Sequence, residues 1–284
     1  MIEKRLHPVL REELGALEER SRANVIAVSV YDLETGTTIT HHGKRWFHAA
    51  STIKLAVLLG VYDAIHRGQL TPDSRVPVRN EFKSAFDGTP FHVASERDAD
   101  SEVQNAIGRT MRLHDLARNM IIRSSNLATN LLLDLLGVDA VKRVLDSFEL
   151  NGIDLQRGVE DELAFEHGIN NRVTADGLVD LLQLIAEERA FTPELSRSML
   201  EILHDQEFRS GIPAGLPPTA RVAHKTGEIS TIAHDAGIVY MPNRKPYVVA
   251  ILTEWDKDVT GRKTTIAAAS YQVYEYLTDL TGHD

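Results

Sequence analysis

Three short groups of side chains have the types and spacing for covalent chemistry at a carbonyl carbon. The first is Ser51-Thr52-Ile53-Lys54, at the head of an apolar stretch of helical period that runs to His66 and ends before Gly68. Serine is a weak nucleophile until a base takes its proton. A lysine three residues on shares its helix face, and it can serve as that base once burial or a neighbouring cation lowers its pKa. A helix N-terminus adds free backbone N–H groups and the positive end of a dipole. The same four residues also read as a capping serine and a surface lysine. The second group, Ser124-Ser125-Asn126, separates two apolar helical patterns and reads equally as the cap of the second. The third, Lys225-Thr226-Gly227, closes the strand-like VAHKTG and reads also as a strand end with a turn glycine. Occurring in this order, each in the setting its chemistry needs, the three favour one nucleophilic site over three unrelated caps and turns.

The elements that must position them follow from periodicity. Leu6, Leu10, Leu14 and Leu17 recur at helical spacing up to about Arg20. NVIAVSVYD, residues 24–32, is β-branched; the turn Leu33-Glu34-Thr35-Gly36 and residues 37–42 complete a hairpin. Residues 71–109, with Pro72, Pro77, Gly88 and Pro90, read as irregular. Helical patterns cover 113–122, 126–136, 138–148, 174–188 and 193–204, and the Pro- and Gly-rich 211–219 is a connector. Strands are predicted at 221–226, 233–240 and 247–254, and a closing helix at 264–280. Strands at both ends of the chain predict an α/β (α+β) fold. One antiparallel sheet is built from both termini and flanked by terminal helices, with an all-helical lobe inserted. The α/β lobe would take about residues 1–50 and 206–284 and the helical lobe about 51–205, with a cleft for a small molecule where they meet.

Bulk properties narrow the partners. The 284 residues carry 31 Lys and Arg against 41 Asp and Glu, a formal charge of −10, with 43% hydrophobic residues. That balance lacks the basic surface a nucleic acid needs. There is no cysteine, which excludes a catalytic thiol, a thiolate metal site and a disulfide framework. MIEKRLHPVLREELGALEERSR is charged and amphipathic, without the apolar core of a secretory signal; the sequence leaves localisation open between the cytoplasm and export with a removed signal. No run of about 18 apolar residues predicts a membrane span.

With the three motifs in place, the chain resembles the class A β-lactamase-like serine hydrolases, the penicillin-recognising enzymes, over nearly its whole length. Asn126-Leu127-Ala128-Thr129-Asn130-Leu131-Leu132 resembles the helix after the second motif. Arg157-Gly158-Val159-Glu160-Asp161-Glu162-Leu163 falls at the family's Ω-loop with its catalytic glutamate. Thr174-Ala175-Asp176 resembles the start of the next helix, and His234-Asp235-Ala236-Gly237-Ile238-Val239 the strand after Lys-Thr-Gly. The resemblance implies an acyl-enzyme on Ser51, with Lys54 taking the serine proton directly or through a water held by Glu160. It implies that Ser124 passes a proton to the leaving nitrogen and that Asn126 binds the substrate's amide. Lys225 and Thr226, with Gly227 closing the motif, bind its carboxylate. The backbone N–H groups of Ser51 and Glu228 form an oxyanion hole, and Glu160 activates the water that releases the acyl group. It implies no metal, no cofactor, a small-molecule substrate (a β-lactam or an acyl-D-alanyl amide or ester) and a monomer. An esterase, a D-alanyl peptidase and a penicillin-binding sensor or scaffold that does not release its acyl group share the same nucleophile.

Three departures bear on this expectation. Ser125 stands where the family commonly has aspartate, so the bracing there should differ. Ala164 stands where an asparagine helps hold the hydrolytic water, which leaves Asp161 and Glu162 as neighbouring candidates for the role of Glu160. The stretch from Ser51 to Ser124 is longer than usual, the excess lying around residues 82–100 with Phe82, Phe86, Phe91 and His92; it reads as a lid or rim over the cleft, or as packed decoration. His41, His42 and His48 flank the hairpin without a firm spacing to carboxylates, so no metal site is expected there. His224 and His234 read as satisfied structural histidines, and Trp46 and Phe47 as core.

Overall fold

The computed structural model describes residues 3–281, with side chains from residue 8 to residue 279; the Leu6 and Leu280 side chains lie outside the described residues. The chain runs α1 (Glu3–Ser21), β1 (Val25–Asp32), β2 (Thr37–His41) and β3 (Phe47–His48), then a 3₁₀ turn (Ala50–Ile53) leading into α2 (Lys54–His66). Next come β4 (Arg75–Pro77), β5 (Phe82–Lys83), β6 (Pro90–Phe91), α3 (Ser101–Gln104), β7 (Thr110–Arg112), α4 (Leu113–Ile122), α5 (Asn126–Leu136) and α6 (Val138–Ser147). β8 (Ile153–Asp154), α7 (Glu162–Glu166), β9 (Arg172–Val173), α8 (Ala175–Ala186) and α9 (Pro193–His204) follow. The chain closes with β10 (Arg221–Ile229), β11 (Ile232–Tyr240), β12 (Tyr247–Glu254) and α10 (Arg262–Thr281).

The main sheet is antiparallel in the order β10-β11-β12-β1-β2, so the last three strands and the first two pair into one sheet. Both faces are covered, and the period-2 alternation of strand side chains shows why. In β1, Val25 and Ala27 join a core shared with the helical block. Ile26, Val28 and Val30 join a second core with Leu10, Leu14 and Leu17 of α1 and Val273 and Leu277 of α10. This is the predicted architecture, a five-stranded antiparallel sheet from both chain ends with helices on its faces. α8 lies between sheet and helical block, against β1, β11 and β12. α2 is apolar on every side and buried from Lys54 to Tyr62, as expected of a central helix.

Residues 71–109 hold more order than their composition predicts. β4 pairs with β7 and β5 with β6, while Phe82, Val93 and Val103 reach the core. Strands of two or three residues are too short to show a period. Phe47 is core, as read, but Trp46 is exposed and stacks under the Arg172 guanidinium.

Candidate active site

Where the helical block meets β10, a cleft of about 790 Å³ opens. Ser51, Ser124, Asn126, Glu160, Thr226, Gly227 and Glu228 line it. Lys54 and Lys225 lie beneath, each fully buried. All nine residues singled out by motif and resemblance are therefore in or directly under one cleft.

Ser51 sits inside the 3₁₀ turn, and α2 begins only at Lys54. In a 3₁₀ turn residues i and i+3 eclipse, so Ser51 and Lys54 are brought onto one line. Ala50 just before has φ 44°, Ser124 φ 58° and Glu160 φ 61°. Such conformations cost non-glycine residues about 1–3 kcal/mol each and persist where surroundings impose them; here three fall around one cleft. Gly227 explains the approach of β10. A Cβ there would lie 3.0 Å from Ser51 N and 3.1 Å from Thr52 N, so only a glycine lets the strand run this close to the head of the turn.

The polar groups form a continuous chain. Lys54 Nζ donates to Ser124 O (2.7 Å), Ser124 Oγ (3.1 Å) and Asn126 Oδ1 (2.8 Å). Lys225 Nζ donates to the same Ser124 Oγ (3.1 Å) and to Thr226 O (2.9 Å). Asn126 Nδ2 donates to Glu160 Oε1 (3.1 Å) and to Arg97 O (3.0 Å). Burial pulls the Lys54 amine down to about 7, against the opposing pull of Asp98 and Glu160. Burial, reinforced by the Lys54 charge, also pulls Lys225 well below its ordinary value. Burial raises Glu160, while Arg97 and Lys54 oppose the rise. Two buried lysines bearing on one hydroxyl, with a carboxylate one amide away, can move a proton between a nucleophile, a leaving group and a water.

Arg97 and Ala99 of the 82–100 segment line the cleft, so this part of it forms the rim, and the segment also braces the site. Asp98 Oδ1 and Oδ2 accept the Asn126 and Leu127 N–H groups (3.0 and 2.9 Å) at the start of α5. A carboxylate thus occupies the positive end of that helix, while Ser125 Oγ caps Ala128 N. The aspartate that Ser125 lacks is in effect supplied from 27 residues upstream. Arg97 Nε lies 2.7 Å from Glu160 Oε2, as an ion pair rather than an aligned hydrogen bond, and Arg97 also pairs with Glu162. Asp161 caps α7 at Ala164 N and accepts from Ser84 Oγ and Ala85 N, both at 2.8 Å. Asn130 fixes the loop from the other side, accepting from Val159 N and donating to Val159 O, both at 2.9 Å. Ala164 is a buried methyl. Sequence reasoning missed Arg97, Asp98 and the clamp by Asn130. Only the presence of four acids and an arginine in the unusual segment hinted at the first two.

His48 and His234 flank the cleft. Thr253 N donates to His234 Nδ1 (3.1 Å), and His234 Nε2 lies 3.0 Å from His48 O. His234 Nδ1 also lies 2.9 Å from Ala233 O, and burial pulls this histidine down to about 4. His234 is satisfied, as read. His224 is paired through Nδ1 with Asp235 (2.8 Å), but its buried Nε2 has no partner.

Comparison with known proteins agrees with this geometry. The chain is 27% identical over 274 residues to the beta-lactamase ROB-1 of Haemophilus influenzae, covering 94% of this chain and 84% of that one. It is 28% identical over 281 residues to a beta-lactamase of Streptomyces fradiae, covering 94% and 85%. The solved structure of an ancestral class A beta-lactamase superposes with a TM-score of 0.81 at 26% identity, covering 94% of this chain and 99% of the other. Residues 9–277 match the beta-lactamase enzyme family, and this chain belongs to that family.

Proposed function

We propose that the protein is a serine hydrolase that opens β-lactams or related cyclic amides through an acyl-enzyme on Ser51. The observation that carries this reading is the convergence of Lys54 and Lys225 on Ser124 Oγ beside Ser51, with Asn126 linking Lys54 to Glu160. Lys54, near neutrality in its buried setting, takes the Ser51 proton. In its neutral form two hydrogens remain for Ser124 O and Asn126 Oδ1 and the single Nζ lone pair is left for the Ser51 proton, the bond to Ser124 Oγ forming once Nζ is protonated. Ser51 Oγ bonds to the carbonyl carbon, and the charge on the oxygen falls between the backbone N–H groups of Ser51 and Glu228. As the C–N bond breaks, Ser124 hands its proton to the leaving nitrogen and regains one from Lys54. Asn126, Lys225 and Thr226 orient the substrate, Lys225 favouring an anionic carboxylate. For release, Glu160 takes a proton from water, the water oxygen bonds to the acyl carbon, and as the ester bond breaks that proton returns to Ser51 Oγ, leaving Glu160 ionised again.

A chromogenic cephalosporin tests the proposal. Turnover that vanishes in Ser51→Ala supports it, and an absence of turnover with every β-lactam refutes it. A second reading has its own observation. Glu160 is held by Arg97, and a buried methyl, Ala164, stands where a water-holding amide is expected. The missing amide slows release, and a penicillin-binding protein that acylates without turning over would share this feature. So would an esterase or D-alanyl peptidase. Intact mass after mixing separates them: a transient adduct marks the hydrolase, a persistent one the binder, and preferential ester or D-alanyl peptide turnover the remaining pair.

A further inference from the structure

We infer that Glu18, His41 and His42 form a binding site for a divalent cation of the zinc type, on the sheet edge opposite the cleft. The two histidines alone had no carboxylate at ligand spacing; the fold brings one from α1. One ligand atom from each of the three side chains lies within 4.8 Å of the other two. Neighbouring residues of a strand normally face opposite sides. Here β2 ends at His41, and His42 takes φ 52°, which turns the two rings to the same side, 4.2 Å apart. Glu18 is fixed because its Oε2 accepts the Ile26 N–H (2.9 Å), and its other oxygen remains to ligate. His41 Nε2 is buried without a hydrogen-bond partner, which is costly for a polar nitrogen; a cation would satisfy it.

The donor set of two imidazole nitrogens and one carboxylate oxygen suits Zn²⁺ or a similar borderline ion rather than Ca²⁺ or Mg²⁺. Tetrahedral Zn²⁺ at about 2.0–2.1 Å from each ligand holds the donors about 3.4 Å apart. The donors, within 4.8 Å of one another, need to close by at most about 1.4 Å to reach that spacing. Arg11, a cation that bears on His41, donates through Nε to Thr40 O. In the sheet order β2 is four strands from β10, about 19 Å at the usual strand spacing. The ion is therefore outside the catalytic cleft. Its effect is to tie α1 to the exposed edge strand.

The test uses the full chain, freed of metal by a chelator, with Zn²⁺ titrated by calorimetry and by thermal unfolding. We expect one saturable equivalent with a Kd in the micromolar range or below. The melting temperature should rise by about 4–6 °C at 100 Kd. His42→Ala, at an exposed position, should leave the metal-free melting temperature unchanged and weaken binding at least tenfold; Glu18→Gln, which still accepts from Ile26, should do the same to binding. Absence of saturable binding below about 100 μM, or equal affinity in the two variants and the parent, overturns the site. The second result would place the ion on other histidines.

Discussion

Removing Arg97 should shift the pH dependence of acyl-enzyme release upward without preventing acylation. Arg97 Nε and Glu160 Oε2 are 2.7 Å apart, with side-chain exposures of 53% and 19%. Two unit charges about 4 Å apart interact by about 1 kcal/mol in water and about 4 kcal/mol at an effective dielectric of 20. The exposed arginine is well screened, so we take the lower part of that range, about 1.4 kcal/mol, or about one pKa unit. Burial already raises Glu160, and Arg97 opposes that rise. In Arg97→Ala the opposition is gone, the Glu160 pKa rises further, and less of the carboxylate is ionised at a given pH. If that carboxylate is the base for water, the acid limb of the release rate moves to higher pH by about one unit. The plateau above the limb should survive, because Asn126 Nδ2 still holds Glu160 Oε1 and the Asn126 bond to Arg97 uses the main-chain oxygen. Glu162→Gln is the control of opposite sign: it removes a neighbouring negative charge, so the limb should stay or move slightly down. The assay is stopped-flow release from an acyl-enzyme preformed with a chromogenic cephalosporin, read from pH 4 to 9. A limb that does not move in a variant of unchanged melting temperature, or that moves to lower pH, refutes the argument.

Other expectations follow from the same contacts. Acylation should depend on neutral Lys54, so its rate in rapid-quench mass spectrometry should fall about tenfold per pH unit below about 7; a flat profile across pH 5–8 would exclude Lys54 as the base. Glu160→Gln should leave acylation within a few-fold and slow release by two or more orders of magnitude, read as a persistent adduct on Ser51. Asp98→Ala removes a carboxylate from two helix N–H groups at α5 and should cost about 1–2 kcal/mol of stability in urea unfolding; no loss would show that the cap is dispensable. His234 has a depressed pKa in the fold, about 4, so the unfolded chain binds the extra proton first. Stability is full above the ordinary histidine pKa near 6.5 and is lost as pH falls toward 4, by at most about 3 kcal/mol. His234→Asn should flatten that fall, and an unchanged slope would assign the loss to other groups.

Much of this was legible before any coordinates. The helices Leu113–Ile122, Asn126–Leu136 and Pro193–His204 and the strand Tyr247–Glu254 begin and end where the sequence places them. Their limits are set locally. Ser125 Oγ caps Ala128 N, Thr192 Oγ1 caps Leu195 N, and Pro193 takes the first helical position. Ser51, Lys54, Ser124 and Asn126 were legible because they sit at element junctions, whereas Lys225-Thr226-Gly227 lie inside β10, which runs on to Ile229 instead of ending at the motif. Arg97 and Asp98 are different. Their partners Glu160 and Asn126 are 63 and 28 residues away, and no local pattern marks such a pairing. Trp46 was misplaced because aromatic character alone does not separate a core ring from one covering a surface guanidinium.

The two halves of the proposed reaction rest on different kinds of structure. Ser51, Lys54, Ser124 and Lys225 are held by a tight turn, a helix junction and a strand brought near by Gly227, and the lysines are sealed from water. None of the hydrogen bonds within that group comes from the 82–100 segment, although the Asp98 charge opposes the fall of the Lys54 pKa. Glu160 does depend on the segment: its cation is Arg97, and the residue after it is anchored to Ser84 and Ala85. The segment also feeds back on the first half at one point, because Asp98 fixes the N-terminus of α5 from which Asn126 projects, and Asn126 touches both Lys54 and Glu160. Changes confined to Arg97 or Ser84 should therefore tune release alone. Changes at Asp98 should alter acylation and release together, because they move the one amide the two halves share.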